Sequence, residues 1–532
     1  MSPGRLSLSA LAALLVCTAP AFALAPRFGE PELIGHTTSD AAPMINVTPL
    51  GDVLLTWIDG GVLYGATRPA GGGAWSAPAQ ILDGMSTDAR FARNDNGDAA
   101  VLYSTAAGWQ LTVAPAGAPF GPPEPVPGAE TPAPVPGLAY QPSPAWINDA
   151  QMAVAPDGGV VLTFWIVDAT TGKGDVYAVR RPPGGPFGSP QILGHDAIAN
   201  PVVAVGGDGT AIAMWAAPVE GSGNDDIRAI HVAESPEGAG FGETRIVSDP
   251  SKDASNNTAM PKLIANRRGD FLVVWNEGGM PVSTAIVTEL RPAGESWGPP
   301  TLVNPGLFGF EPDAAINDAG DTLVSWDDSS GVGSAFRPAG GAFGGPVLTH
   351  SQGVGEHLPV AIDATGTAMI VHEVVDDVTA VNSTFHMAVQ LRAPDGSSAD
   401  DVKIFDGWGH AIIATDPLGN GIVAWTGPDG SGGQGVHAVP YSASPPEVSA
   451  IRLAGQRLRL RVSEPAHLRL TIRGRKGSAH TSAVQRRVGA LSITMPAPMR
   501  RLAKRHGRLT ATVTARDAGP RASKKTFVLR RR

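Results

Sequence analysis

The sequence predicts an all-β chain: an eight-bladed β-propeller closed by an N-terminal strand, followed by a small β-sandwich. Three observations predict it. Gly and Pro together make up 114 of the 532 residues, scattered at intervals too short for long helices. A glycine turn feeding an apolar strand recurs eight times up to residue 425. Charge also divides the chain: residues 1–446 carry 18 Lys and Arg against 46 Asp and Glu, while residues 447–532 carry 22 against 3. A coiled coil and a collagen-like rod are excluded, as is a polytopic membrane protein. No apolar run beyond the N-terminus approaches the ~20 residues that span a bilayer.

Residues 1–23 read as an export signal. Arg5 gives the positive start, Leu6 to Val16 the apolar stretch, and Ala21-Phe22-Ala23 the cleavage pattern. The single cysteine, Cys17, lies inside it, preceded by Val16 where lipid attachment would want a small residue. The mature chain is therefore expected to lack disulfides, thiol nucleophiles and thiolate metal sites. The expected location is secreted or cell-surface associated, with no transmembrane segment once the signal is removed. The expected state is a monomer.

Residues 24–441 form the repeat array. Its turns and strands run Gly51-Asp52 to Trp57, Gly97-Asp98 to Tyr103, Gly158-Gly159 to Trp165 and Gly209-Thr210 to Trp215. They continue with Gly269-Asp270 to Trp275, Gly320-Asp321 to Trp326, Gly366-Thr367 to His372 and Gly419-Asn420 to Trp425. A short strand precedes each turn, as in Pro201 to Val205. A third strand follows, ending in Arg68-Pro69-Ala70-Gly71, Arg291-Pro292-Ala293-Gly294 or Arg337-Pro338-Ala339-Gly340. An aromatic-Gly element such as Trp297-Gly298-Pro299-Pro300 then leads into a fourth. Four strands in about 50 residues is the spacing of propeller blades. Phe28-Gly29 to Ile34 is a spare fourth strand, and the last repeat lacks one after Gly435 to Tyr441. Pairing the two leaves no open sheet edge.

The chain resembles secreted bacterial β-propeller repeat proteins through the Gly-Asp…Trp and Arg-Pro-Ala-Gly…Trp-Gly-x-Pro elements. The resemblance covers about residues 28–441 and implies a fold rather than an activity. It departs from the sialidase Asp-box, since four residues separate Asp52 from Trp57.

Residues 442–446, Ser-Ala-Ser-Pro-Pro, read as a linker. In 447–532, strict alternation in Arg457 to Val462, His467 to Arg473 and Arg508 to Val513 predicts half-buried strands, apolar inward and basic outward. Thr514 to Gly519 resembles the strand end of Ig-like or fibronectin-like modules, without their Trp or Cys. Arg457, Arg459 and Arg461 are the candidates for holding an anionic cell-wall polymer. Intramolecular docking on the acidic propeller is the other reading of that charge. One aromatic, Phe527, gives no stacking platform, so specific nucleic-acid binding is not expected.

Acids follow the second strands: Asp59, Asp168, Glu277, Asp327 with Asp328, and Glu373. Histidines follow the fourth: His36, His195 and His350. The loops after those strands share one propeller face, to which Trp408 and His410 are added, so a ligand mouth is expected there. A solvated rim is the plainer reading of the same residues. Asn94-Asp95-Asn96-Gly97-Asp98 reads as a hairpin turn rather than a calcium loop, because no bidentate Glu follows. Arg68, Arg181, Arg291 and Arg337 read as turn residues. No Gly-x-Ser-x-Gly or His-Glu-x-x-His occurs. The expected function is therefore an exported, non-enzymatic binding protein without catalytic residues, metal or cofactor, whose ligand is a glycan or anionic polymer. The alternative is a glycan-active hydrolase or lyase with its site at the propeller mouth.

Overall fold

A computed structural model describes residues 27–70, 73–84, 89–130, 150–167, 173–197, 201–219, 228–254, 261–278, 285–328, 331–349, 359–377, 384–393, 401–407, 409–442, 448–454, 456–462, 466–474, 477–485, 489–505, 508–516 and 522–530. The expected export signal, residues 1–23, and most of the expected linker, residues 442–446, lie outside them. So do the candidates Asp168, His350 and Trp408.

The chain is all-β and built largely of four-stranded antiparallel sheets, the architecture of a β-propeller. The first sheet shows the plan: Met44–Val47, Val53–Asp59, Val62–Arg68 and Ala79–Leu82, hydrogen-bonded in sequence order. Six further sheets repeat it, beginning at Ala89, Gln151, Val202, Lys262, Phe310 and Val360. The eighth joins Ala411–Thr415, Asn420–Pro428 and Gln434–Ser442 to the N-terminal strand Glu32–Thr37, with Glu32 opposite Ala438 and His36 opposite Gly435. The first strands neighbour one another from sheet to sheet in cyclic order, and that of the eighth lies against that of the first.

The repeated motifs have physical causes. Gly51, Gly97, Gly269 and Gly320 all have φ between 84 and 99°, the left-handed conformation that the turn requires. The Asp that follows caps the other hairpin end of its own sheet. Asp52, Asp98, Asp270 and Asp321 each accept the backbone N–H of Ala70, Ala116, Ala293 and Ala339 at 2.8–2.9 Å. The Gly-Asp and Pro-Ala-Gly elements are thus two halves of one contact. The aromatic-Gly element docks by a backbone bond to the third strand, as in Gly188 N to Arg180 O at 2.8 Å and Gly298 N to Leu290 O at 2.9 Å. Gly29 N donates to Pro440 O at 2.7 Å in the same way. Phe28-Gly29 therefore occupies in the eighth sheet the place its counterparts hold in theirs.

The aromatic ending each second strand is buried between sheets. Several stack on the residue directly opposite in the third strand: Trp57 on Tyr64, Trp215 on His231 and Trp425 on His437, at 6.0, 5.7 and 5.4 Å. Burial pushes the imidazoles of His231 and His437 below their ordinary value. Arg68, Arg181 and Arg291 are more than the turn residues expected from sequence. Arg181 grips Glu124 of the preceding sheet at 2.7 Å, and Arg291 reaches Glu234 of its preceding sheet at 3.0 Å. They clamp neighbouring sheets together.

Beyond residue 447, Val448–Ala454, Arg457–Val462 and Gly489–Thr494 form one sheet. Ser478–Gln485, Ala466–Arg473, Arg508–Arg516 and Ala522–Arg530 form another. Leu458, Leu460, Leu468, Leu470, Leu509 and Val513 share one core between them. The structure adds an element not anticipated from sequence, the helix Ala497–Arg505. Pro498 suits a first turn, and Met499 and Leu502, three apart on one face, pack on that core. Among the described residues no helix is long and apolar enough to cross a membrane.

Candidate functional site

The candidate residues on the expected face are spread around the array. His36 belongs to the eighth sheet, with His410 just before that sheet's first strand; Asp59 belongs to the first, His195 to the third, Glu277 to the fifth, and Asp327 and Asp328 to the sixth. His36 and His195 lie within fourth strands rather than after them, and each is paired inside its own sheet. His36 Nδ1 contacts Asp429 at 3.0 Å and His195 Nδ1 contacts Asp175 at 2.8 Å. The N–H and hydroxyl of Ser431, with Gly433 N–H and His36, hold the Asp429 carboxyl well below the usual carboxylate range. His386, not singled out from sequence, makes the same contact with Asp376 at 2.8 Å. Asp59 accepts the N–H of Thr38 at 2.8 Å as the chain passes from the eighth sheet into the first. Glu277 is buried, with Lys252 on its Oε2 at 3.1 Å and the indole N–H of Trp275 on its Oε1 at 3.3 Å. These residues are committed to local structure.

Asp327 is different. It ends the second strand of the sixth sheet and stands directly opposite Phe310. Burial, with Glu311 and Asp328 nearby, pushes its carboxyl up to about 6. The register slips between Phe310 and Asp313, and Glu311 sits in this bulge at a φ of 42°, a left-handed conformation uncommon outside glycine. The bulge brings Glu311 within electrostatic reach of Asp327. Phe308 packs edge-on against Phe310 with centroids 4.3 Å apart, and both rings are half-buried. Asn276 of the fifth sheet donates to the carbonyl of Gly309 between these rings at 2.8 Å. Its Oδ1, in a side chain only 2% exposed, has no partner among the described residues. Two interacting carboxyls, one of them pushed up to about 6, thus adjoin an apolar pair of rings. Sequence reasoning found Asp327 and Asp328 but missed Glu311 and the phenylalanines, because no spacing rule signals a bulge.

A second feature lies at the opposite, first-turn end of the array. A cavity of about 730 Å³ is lined there by turns of successive sheets, among them Arg93, Asp95, Arg267, Asp318 and Asp416. Burial raises Asp416 to about 6, against hydrogen bonds from Asn420 and Leu418. Asn94 and Asp98 of the supposed calcium loop are used up by the hairpin: Asn94 donates to Asp98 at 2.8 Å and to Ala155 O of the next sheet at 2.8 Å.

No protein-family model matches the chain, and no curated protein matches it. Among solved structures it is similar to a polysaccharide lyase, Uly1, at 10% identity over 76% of this chain and 90% of that one, with a TM-score of 0.36. It is also similar to the α-L-arabinanase of Penicillium chrysogenum, at 10% identity over 79% and 99% with a TM-score of 0.32. The α-L-arabinofuranosidase of Fusarium graminearum gives 12% identity over 56% and 93%, with a TM-score of 0.28. Likenesses this loose decide nothing about chemistry, which has to come from the side chains.

Proposed function

We propose that this chain is a glycan-active, eight-bladed β-propeller with a C-terminal β-sandwich, its reacting groups being Asp327 and Glu311. The cyclic contact of the first strands supports the ring. The single observation that carries the activity is the Asp327 carboxyl raised to about 6 beside a second carboxylate. Glycoside cleavage needs one carboxyl that keeps its proton to give to the leaving oxygen and another that stays ionised. Asp327 takes the first role, and Glu311 acts as base or nucleophile. Phe308 and Phe310 supply an apolar surface for the C–H face of a sugar, and Asn276 Oδ1 is an acceptor for a hydroxyl. Incubation with a panel of plant, algal and bacterial polysaccharides, followed by reducing-end and unsaturated-product assays, tests this. Turnover that falls about 100-fold or more in Asp327→Asn supports it.

The second reading is a secreted binding protein, supported by the scatter of the other candidates over separate sheets. Binding to a panel member without turnover, unchanged in Asp327→Asn, selects that reading instead.

A further inference from the structure

The outer face of the three-stranded C-terminal sheet carries a ridge of arginines. Its central strand alternates strictly: Leu458, Leu460 and Val462 are buried, and Arg457, Arg459 and Arg461 are exposed. On one flank Arg452 stands directly opposite Arg459, and Ser449 opposite Arg461. On the other flank Thr494, Ser492 and Ala490 face the three arginines. All of these flanking residues are exposed. The result is an exposed face with four guanidinium groups bordered by small side chains. None of the ion pairs among the described residues involves these arginines. The three acids of residues 447–532 are Glu447, Glu464 and Asp517, and none belongs to this face's strands. Like charges directly opposite on a sheet are destabilising. The Arg452–Arg459 pair is therefore a local cost that a bound polyanion would remove.

We propose that this face binds a linear carboxylated polysaccharide. Successive outward residues of a strand stand about 7 Å apart, so the ridge offers charges in a row rather than a pocket. That suits an extended polymer with a regularly repeated anion. The guanidinium fork matches a carboxylate with two parallel N–H bonds. Nucleic acid is the competing polyanion, and the face lacks what a single strand needs. Phe527, the one aromatic after residue 447, packs against the core and offers no stacking surface. The inference is independent of the carboxylate site in the sixth sheet. Retention reads one and turnover the other.

The test uses the full-length protein on immobilised polygalacturonate at about 0.1 M salt, with (dT)20 as the competing polyanion. The expected result is retention that falls steeply as salt shortens the Debye length toward ~3 Å at 1 M. In R457Q/R459Q/R461Q the apparent Kd rises about tenfold or more, with the thermal melt unchanged because all three side chains are exposed. Arg459→Gln alone gives a smaller rise in the same direction and serves if the triple variant melts early. Absent retention overturns the proposal, as does retention that neither variant weakens. Tighter binding to (dT)20 than to polygalacturonate overturns the polysaccharide assignment in favour of nucleic acid.

Discussion

Arg267 Nε donates to Asp95 Oδ2 at 2.7 Å, although 172 residues separate them. Arg267 belongs to the turn of the fifth sheet and Asp95 to that of the second. The same guanidinium donates from Nη2 to Val47 O of the first sheet at 3.3 Å and lies 3.6 Å from Asp318 of the sixth. In the cyclic order of contacts the first and fifth sheets stand four apart, so one side chain links sheets that are not neighbours and lines the cavity at this end.

Replacing Arg267 with Met should therefore cost about 1–3 kcal/mol, mostly from the charged hydrogen bonds lost. The Arg267–Asp95 coupling itself, read from a double-mutant cycle with Asp95→Asn, should stay below about 1 kcal/mol because both side chains are partly exposed. Chemical denaturation in low and high salt checks both, and the coupling should shrink in high salt.

The Gly-Asp aspartates make a second expectation. Asp270 accepts both the Ala293 N–H at 2.8 Å and the Asn266 side-chain amide at 2.7 Å in a buried setting. Asp270→Ala leaves these donors unpaired and should destabilise by about 1–3 kcal/mol. Asp270→Asn should cost less, since its remaining side-chain oxygen still accepts from one of the two donors. Urea denaturation separates the two.

Gly333 faces the indole of Trp326. A Cβ on it would stand 2.1 Å from the Trp326 ring, whereas one on Gly345 meets nothing within 4 Å. Gly333→Ala should cost about 1–3 kcal/mol by overpacking, and Gly345→Ala should be nearly neutral. Equal melting temperatures for the two variants would contradict the packing described.

The raised carboxyls set a pH dependence. Asp327 and Asp416 keep their protons to about pH 6 in the folded chain, but lose them near 4 when unfolded. Between those values the folded state binds more protons, so stability falls as pH rises from about 4 to 6 and then levels. Asp327→Asn should flatten part of that slope in thermal melts taken across the range. Turnover that depends on a protonated Asp327 should also fall above about pH 6.

A chain beginning after Thr37 should lose the eighth sheet's outer strand and expose the edge of Gln434–Ser442. A lower melting temperature and concentration-dependent association, read by light scattering, are expected.

What the sequence made legible was whatever repeats locally. Turn glycines, capping aspartates and strand-ending aromatics recur at short spacings, and the physics behind each acts within one sheet. The Phe28–Gly29 element was legible because its counterparts are. Arg267 was not, since its partners lie far away in sequence and no pattern around it differs from an ordinary turn. Glu311 was hidden for a different reason: its position depends on a bulge that puts a non-glycine residue at positive φ. The helix Ala497–Arg505 is short, with Pro496 just before it and Pro498 in its first turn, and its place is decided by Met499 and Leu502 finding the C-terminal core. At the site, Asp327 was visible as an acid after a strand, but its shifted pKa arises from neighbours that folding assembles.

The pairing of Glu32–Thr37 with Gln434–Ser442 has a consequence in time. Synthesis makes the first of these strands about 400 residues before the second. No nascent chain shorter than that can complete the eighth sheet, however long it pauses. Earlier sheets can form in order as they emerge, each against its predecessor, but the array remains an open arc with two unsatisfied ends. Closure is then a single late event of very high contact order, slow because a long loop must be brought together before any bond rewards it. The interval before it is when the arc is most exposed to association with other chains.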